Sequence, residues 1–355
     1  MRWVHTFRFR VVVLAIATAS ALALAGCGSS ADKTDNNSLS VQLSWFKNAQ
    51  SGGWTTAITE GYLADEGFHN VDIRAGGPNV STLTLLASGK ADIAVATMDS
   101  YLQARDKGIP LTAVYNEFST APTGIFVKKS TGWTQWKDLA NKTWTVAPID
   151  LGWQWVKKSQ GIDFKTQNFN GSNAAFMASP DAITQGYPTN TVYEARQHGF
   201  ELNYLGYASA GFNPYGQILV VTKEFANKHK DELDRALRAL SKGWTAYLTN
   251  VTAAKKANEQ IIKDDDQLAA DVNWFTWDAQ RKYVIGTQGG KTMGAMTDSR
   301  WNQIVSQMKQ MGALSQGFNA TDLFDNEFVP DVKMPTIDQL PPAPAGVYQG
   351  PPPVL

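Results

Sequence analysis

Segments with the apolar pattern of strands and of helices alternate strictly after residue 38. The predicted strands cover residues 39–45, 71–75, 91–96 and 111–115, and the predicted helices between them cover 54–66, 81–88 and 98–107. Consecutive parallel strands need a crossover of a dozen or more residues, which is commonly a helix. The alternation therefore predicts an α/β fold around a mostly parallel sheet.

A second round of the same pattern begins after a break at 120–123. It predicts strands over 124–128, 143–147 and 217–222, helices over 136–139, 152–159 and 178–186, and a mostly helical stretch over 223–311. A chain of 355 residues also exceeds the ~250–300 residues that one hydrophobic core usually supports. We therefore expect two lobes joined by two crossings, near 120–126 and 212–218, that act as a hinge. A ligand would lie in the cleft between the lobes.

The first 26 residues have the pattern of a secretory signal. Arg2, Arg8 and Arg10 precede an apolar run over 11–25, which is too short to span a membrane comfortably. The run ends in Leu-Ala-Gly-Cys, which resembles the lipobox of bacterial lipoproteins and implies that Cys27 is lipid-modified. The alternative is a signal end with an incidental cysteine. We expect an exported protein anchored by lipid to the extracytoplasmic face of the cell membrane.

Composition excludes several classes of function. The formal net charge is zero and no basic stripe is present, so we expect no nucleic-acid partner. One cysteine and four scattered histidines offer no metal-ligand spacing, so neither a metal site nor a cofactor is expected. Residues 27–38 are polar and indicate a flexible tether. The proline-rich residues 335–355 indicate an extended or disordered tail. A monomer is expected.

Candidate ligand-binding residues follow the predicted strand ends of the first round, where open α/β sheets bind ligands. Trp45 offers a stacking surface, and the amides of Asn48 and Gln50 can donate and accept. Two glycines permit close approach of the backbone in the next loop, and a third loop starts a helix. The remaining candidates in these loops are Gly76, Gly77, Pro78, Met98, Asp99 and Ser100. Asp99 as a helix cap and the glycines as a plain turn remain alternatives.

The second round supplies candidates from the segments 150–155 and 185–194 and from residue 215. They are Trp153, Trp155, Tyr187, Thr189, Asn190, Glu194 and Tyr215. Aromatic walls on both lobes would suit a planar ligand, whereas tryptophans that fill the core are the alternative. No Gly-x-Ser-x-Gly motif is present, and we propose no catalytic residue.

Residues 39–332 resemble the solute-binding lipoproteins of ABC importers that serve nitrate, sulfonates, taurine, thiamine-pyrimidine precursors and riboflavin. The resemblance lies in VQLSWFKNAQSGGWTTAITEGYLADEGF, in the Gly-Gly-Pro loop and in ASGKADIAVATMDSYLQARDKGIPL. It continues through GQILVVTKEFANKHKDELDRALRALSKGW and LFDNEFVPDV. It implies a two-lobed type II periplasmic-binding-protein fold, with a permease and an ATPase as partners.

The Trp-Phe-x-Asn-x-Gln segment, the Gly-Gly-Pro loop and Gln-Gly-Tyr-x-Thr-Asn are similar to the precursor and riboflavin branch. That branch often continues with Glu-Pro, where this chain has Thr191 and Val192. The resemblance implies an importer component for a small heteroaromatic nutrient, with a sulfonate, taurine or nitrate binder as the alternative. A fungal pyrimidine synthase shares the fold, but its cysteine-rich motif is missing here, so no enzymatic activity is expected.

The resemblance and the element order together predict the domain boundaries. The outer lobe would comprise residues 39–122 and 215–334, and the inner lobe residues 123–214.

Overall fold

The computed structural model describes residues 37–77, 79–148 and 150–350. The predicted leader, Cys27 with most of the tether, and Pro78 lie outside these residues. The described strands are β1 Ser38–Gln42, β2 Asn70–Arg74, β3 Ile93–Ala96, β4 Leu111–Phe118, β5 Gly124–Lys128, β6 Thr143–Val146, β7 Lys165–Asn168, β8 Ile183–Gly186, β9 Leu202–Gly206 and β10 Gln217–Thr222.

The described helices fall into two groups. Seven lie among the first nine strands: α1 Gly52–Thr59, α2 Tyr62–Asp65, α3 Thr82–Ala87, α4 Met98–Asp106, α5 Gly152–Ser159, α6 Ala174–Ala178 and α7 Thr191–Gln197. Five follow β10: α8 Lys223–Lys228, α9 Lys230–Thr249, α10 Val251–Asp264, α11 Ala270–Ile285 and α12 Asp298–Gln310.

The strands form two five-stranded sheets with equivalent topology. One sheet has the order β2-β1-β3-β10-β4 and the other β7-β6-β8-β5-β9. In the first sheet β10 is antiparallel to both neighbours, and in the second β5 is. These two strands are the ones that the chain enters on crossing from the other sheet. The carboxyl ends of the parallel strands of both sheets therefore face each other across the crossings 119–123 and 207–216, and a cleft lies between the two lobes.

Hydrophobic packing holds each sheet between layers of helix. One face of the first sheet packs on α1, α9 and α10 around Trp54, Trp244 and Tyr247, which are almost completely buried. The helix α11 contributes Trp277 to this cluster and Phe275 to a second cluster on the other sheet. A third cluster contains residues of both sheets and of α12. The C-terminal helices therefore join the two lobes.

Several sequence predictions of secondary structure were wrong in detail. The segment 178–186, expected to be helical, ends α6 and then forms β8, which lies between β5 and β6. By contrast, the stretch 223–311 is mostly helical, as predicted, with breaks at His229, at Asn250 and over 265–269 and 286–297. The helix expected over 54–66 breaks at Gly61, whose φ of 81° ends α1 and starts α2.

The described part of the proline-rich segment contains a 3-10 turn at Ile337–Gln339 and is packed on the protein. The Tyr348 ring packs edge-on against Phe275 with ring centroids 5.4 Å apart, and its hydroxyl donates to Asp278 at 2.6 Å. Arg281 donates to the carbonyl of Pro341 at 2.6 Å. The tail thus covers α11.

Across the described residues we find no helix that is both long and apolar enough to cross a membrane.

Candidate functional site

The outer-lobe side of the cleft is formed where β3 ends and α4 begins. Thr97 is the N-cap of α4, because its hydroxyl accepts from the Ser100 amide at 3.4 Å. The Ser100 hydroxyl in turn donates a hydrogen bond to the Thr97 carbonyl at 2.9 Å. Asp99 is therefore not the cap that the sequence allowed. Its carboxyl lies in the first turn of α4, and burial raises its pKa above the usual value.

The inner-lobe side is formed in the same way where β6 leads into α5. Asp150 accepts from the Gly152 amide through Oδ1 at 2.9 Å, and its Oδ2 is buried without a well-aligned hydrogen bond. The ring of Tyr207, which follows β9, packs directly on Gly152, where a Cβ would lie 2.0 Å from Tyr207 Cδ2. Only glycine at this position lets the ring lie over the start of α5.

The two carboxyls interact across the cleft. Burial, with a smaller contribution from the charge of Asp99, raises the pKa of Asp150 to about 7. The Gly152 amide and the Tyr207 hydroxyl act in the opposite direction, because they favour the carboxylate. Both aspartates keep some accessible surface although protein surrounds them.

Tyrosines surround the carboxyl pair. Burial raises the pKa of Tyr187, with smaller contributions from the charges of Asp150 and Asp99, so this ring lies beside the pair. Tyr204 donates to the carbonyl of Pro122 in the crossing at 2.9 Å. Tyr283 of α11 lies within hydrogen-bonding reach of Tyr204. The tyrosine hydroxyls of this region can therefore donate or accept hydrogen bonds.

The loop after β1 presents an exposed aromatic pair. Trp45 is 44% and Phe46 52% exposed, and the two rings meet edge-on with centroids 5.4 Å apart. The Trp45 carbonyl accepts from the Gly76 amide at 2.8 Å, and a Cβ on Gly76 would lie 2.2 Å from the Leu43 carbonyl oxygen. Gly77, with a φ of 147°, lies against the Phe46 ring. The Gly-Gly pair is therefore a close-packed support for the aromatic loop.

A narrow hollow of about 10 Å³ lies beneath this loop, which is room for about one water. Gln50 and Gln217 line it and are joined by a hydrogen bond of 3.2 Å. Glu117 also lines it and is 2% exposed. The Trp244 indole donates to Glu117 at 3.0 Å, and burial raises the pKa of this carboxyl to about 7.

Other predicted site residues have local structural partners. Asn48 caps the 3-10 turn Ala49–Ser51 by accepting from the Gln50 amide at 2.8 Å. Asn190 caps α7. Glu194 accepts from Asn173 at 2.8 Å. The carbonyl of the buried Thr189 accepts from Thr276 of α11 at 3.0 Å, which is a contact between the lobes.

The remaining aromatic candidates pack in the interior. The Trp153 indole donates to the Ala147 carbonyl at 3.0 Å, and Trp155 to the Ala210 carbonyl at 2.8 Å. Tyr215 is fully buried, and its hydroxyl accepts from the Thr297 amide at 3.0 Å, so its ring packs in the core. Met98 is also fully buried.

Three functional candidates were missed by sequence reasoning. Asp150 lies in a segment that the sequence singled out for its tryptophans, and Tyr207 directly follows a strand that was not predicted. Glu117 lies inside a buried strand, where an isolated carboxyl gives no signal before its tertiary neighbours are known. A rule that selects polar residues shortly after every predicted strand would have found Asp150, whereas Tyr207 could not be found this way because β9 was not predicted.

Within residues 37–77, 79–148 and 150–350, no group of three or more His, Cys, Asp or Glu side chains is arranged to hold a metal ion.

These features define the class of the protein. Two equivalent α/β sheets, two crossings and a cleft between the facing carboxyl edges constitute the two-lobed, type II periplasmic-binding-protein fold. The crystal structure of the periplasmic aliphatic sulphonate-binding protein of Escherichia coli has this fold at a TM-score of 0.65 and 12% sequence identity. The match covers 88% of this chain and 99% of that one.

The chain belongs to the NMT1/THI5-like family, whose profile matches residues 48–254. The riboflavin-binding protein RibY of Chloroflexus aurantiacus is 22% identical over 311 residues, which cover 82% of this chain and 86% of the relative. The formylaminopyrimidine-binding protein of Halalkalibacterium halodurans is 21% identical over 315 residues, with coverage of 84% and 92%. The predicted resemblance and fold class are thus confirmed.

Proposed function

We propose that this protein is the substrate-binding component of an ABC importer and that it captures a small heteroaromatic nutrient between its lobes. The ligand class is a pyrimidine of the thiamine-precursor type or a riboflavin-like compound. The observation that carries the proposal is that polar and aromatic groups from both lobes converge at the facing carboxyl edges of the sheets. In this fold, a ligand that contacts both lobes favours the closed state.

The names of the two relatives support a heteroaromatic ligand, since one binds riboflavin and the other a formylaminopyrimidine. The aromatic loop supports it as well. Trp45 and Phe46 are exposed at the rim of a polar hollow, which is the arrangement that a planar ring with hydrogen-bonding edges requires. The hollow itself holds about one water, so the loop must move to admit a ring.

A substrate-binding component acts beside its permease, so we place this protein at the membrane surface. Cys27 would carry a lipid anchor, and the polar residues after it would tether the folded body at the extracytoplasmic face, near a permease with its ATPase. In this proposal the protein acts as a monomer, changes no covalent bond of its ligand and uses no cofactor. The lobe boundaries at 122–123 and 214–215 remain predictions.

A thermal-shift screen tests the ligand class. The purified protein would be heated with pyrimidines, flavins, alkanesulfonates, taurine and nitrate in parallel. A compound that binds only the folded form stabilises it, by about 2.7 kcal/mol when its concentration is a hundred times Kd. This stabilisation raises the melting temperature. We expect shifts from a heteroaromatic compound. Shifts from sulfonates or nitrate alone would replace this proposal with the anion-importer alternative.

Trp45→Ala tests the stacking role of the aromatic loop. If the Trp45 ring stacks on the ligand, its removal should weaken binding by roughly 1–3 kcal/mol. Calorimetry with the compound found in the screen would measure the change. Ile58→Ala is the matched control, because it removes another exposed apolar side chain, 42% accessible, on α1. Unchanged affinity in a folded Trp45→Ala variant would assign Trp45 to packing of its own loop.

A further inference from the structure

We propose that Gln50, Gln217 and Glu117 form a subsite for the amino edge of a pyrimidine, which consists of a ring nitrogen next to an exocyclic amino group. Within this subsite, Glu117 selects an amino group over an oxo group. The inference rests on the proposed function and narrows its ligand class, because an aminopyrimidine presents this edge whereas the pyrimidine ring of a flavin carries two oxo groups.

The three side chains meet in the hollow beneath the aromatic loop, at the cleft edge of the first sheet. Gln50 lies in the segment that follows β1, Glu117 is next to the end of β4, and Gln217 begins β10. All three line the hollow of about 10 Å³. An exocyclic amino group is about the size of the one water that this space holds. The hollow therefore admits the substituent, while the ring lies at the rim beside Trp45 and Phe46 once the loop has moved.

The first argument is the free hydrogen-bonding capacity of the two amides. Gln217 Nε2 donates to Gln50 Oε1 at 3.2 Å. Among the described residues, Gln50 Nε2 and Gln217 Oε1 have no hydrogen-bond partner. Exchanging oxygen and nitrogen in both amides gives the same result, one free donor and one free acceptor. Such a pair matches a ligand edge that consists of one acceptor and one donor.

The second argument is the additional acceptor that Glu117 supplies. This residue is 2% exposed, and Trp244 Nε1 donates to its Oε1 at 3.0 Å, which fixes the carboxyl in place. The Trp54 indole is also close enough to favour the carboxylate and lower its pKa. A carboxylate has about four acceptor sites, so two indoles leave room for a further donor. An amino group has two N–H bonds and can donate one to Gln217 and the other to Glu117.

The third argument is the charge of the hollow. Among the described residues, no lysine or arginine lines it, and none acts on the pKa of Glu117. The oxygen of an oxo, sulfonate or nitrate group would therefore face a carboxylate with no cation to offset the repulsion. An amino group meets the same carboxylate as a donor, which is the favourable arrangement for a buried acceptor.

The test compares three pyrimidines that differ only at ring carbon 4, which carries an amino, a dimethylamino or an oxo group. Riboflavin is the fourth probe. Burial raises the pKa of Glu117 to about 7, so calorimetry at pH 8 measures binding to the ionised carboxyl. We expect the amino compound to bind at least tenfold more tightly than the oxo or the dimethylamino compound, because neither of these offers two N–H bonds at that carbon.

Glu117→Gln separates selection by Glu117 from binding by the amides. The Trp244 indole holds the oxygen of the new amide, so its NH2 group faces the hollow as a donor. The variant should bind the amino compound at least tenfold more weakly than the wild type and the oxo compound no less tightly. Melting temperatures show whether each variant is folded.

Gln217→Met should weaken both compounds to a similar extent, because the amino group of one and the ring N–H of the other donate to Gln217. Glu201→Gln is the matched control and should change neither affinity. It alters an exposed carboxyl, paired with Lys129, that precedes β9 in the other sheet.

Any of four results overturns the inference. If the wild type binds the oxo compound or riboflavin as tightly as the amino compound, the selection by Glu117 is wrong while the proposed function stands. An amino preference that persists in Glu117→Gln assigns the selection to another residue. Equal losses for both compounds in that variant assign Glu117 to structure. If no pyrimidine or flavin binds, the proposed function fails and the subsite fails with it.

Discussion

Glu117 is the residue whose chemistry depends most on burial. It lies in β4, almost without exposed surface, and receives a hydrogen bond from Trp244. Desolvation raises its pKa from 4.5 to about 7. The folded protein therefore binds this proton more tightly than the unfolded chain does. Between pH 4.5 and 7 the contribution of Glu117 to the free energy of unfolding therefore falls as the pH rises, and this loss is complete above pH 7.

Glu117→Gln should remove this pH dependence. The amide keeps an acceptor for Trp244 and has no charge to bury, so the variant should gain stability over the wild type as the pH rises. The gain should reach the order of 3 kcal/mol above pH 7 and vanish near pH 4. Urea unfolding at pH 4, 6 and 8 measures it. Glu201→Gln, which changes an exposed carboxyl, is the control. A difference that does not vary with pH would contradict the assignment.

At the residue scale, Asp99 was selected because it follows a predicted strand, and Tyr187 because it lies in the segment 185–194. In the structure the charge of Asp99 acts on Tyr187, so the two residues are near each other, and their role in ligand binding stays a prediction. The Tyr215 ring packs against Trp301 and Arg300 of α12. Sequence spacing cannot reveal which lobe a distant residue faces. Asp150 and Glu117 gain their properties only from neighbours far along the chain.

At the scale of elements, α1 and α9 pack unusually closely through two glycines. A Cβ on Gly243 would lie 2.3 Å from the Gly53 carbonyl oxygen, and one on Gly53 would lie 2.4 Å from the Trp244 ring. Two backbones approach this closely only where no side chain separates them. This contact holds a helix that follows β1 against the long helix that follows the second crossing.

Gly243→Ala should destabilise the protein although alanine is the better helix former. The intrinsic gain is about 1 kcal/mol, whereas overpacking against a backbone oxygen typically costs 1–3 kcal/mol or more. We expect a net loss of about 1–2 kcal/mol in urea unfolding. Gly317→Ala, whose new methyl would lie 3.6 Å from Lys309 Nζ, should stay within about 0.5 kcal/mol. A stabilised Gly243→Ala would show that the helices can separate at little cost.

Strands and helices with a clear apolar pattern were predicted from the sequence, and those with a weak pattern were missed. Strands buried on both sides, such as β3 and β5, were predicted, because their apolar runs are continuous. The strand β7 was not, since its four residues are polar and exposed. The strand β8 was taken for helix because it is short and follows an alanine-rich segment. Its pairing with β5 and β6 is a tertiary constraint.

At the scale of the whole molecule, Arg300 of α12 forms hydrogen bonds to both crossings between the lobes. Its Nη1 donates to the carbonyls of Ser119 at 3.0 Å and Asn213 at 2.9 Å, one in each crossing. Its guanidinium lies over the Tyr215 ring, 5.0 Å from the centroid. Burial lowers the pKa of this group somewhat, but an arginine remains charged.

Arg300→Met should loosen the junction. The variant leaves two buried carbonyls without their donor, and we expect it to lose about 2–4 kcal/mol of stability in urea unfolding. Arg238→Met, which removes a partly exposed arginine paired with Glu66, should lose 1 kcal/mol or less. Equal losses in the two variants would mean that the crossings are held by their own backbone contacts.

The order of the first sheet also has a consequence for how the chain acquires its structure. The strands β3 and β4 do not pair with each other, because β10 lies between them. A growing chain that has not yet reached Gln217 has no central strand with which to join them. The lobe begun first is therefore completed last, after every strand of the other lobe has been synthesised. Late pairing over such a sequence distance slows folding and leaves two strand edges open in the meantime.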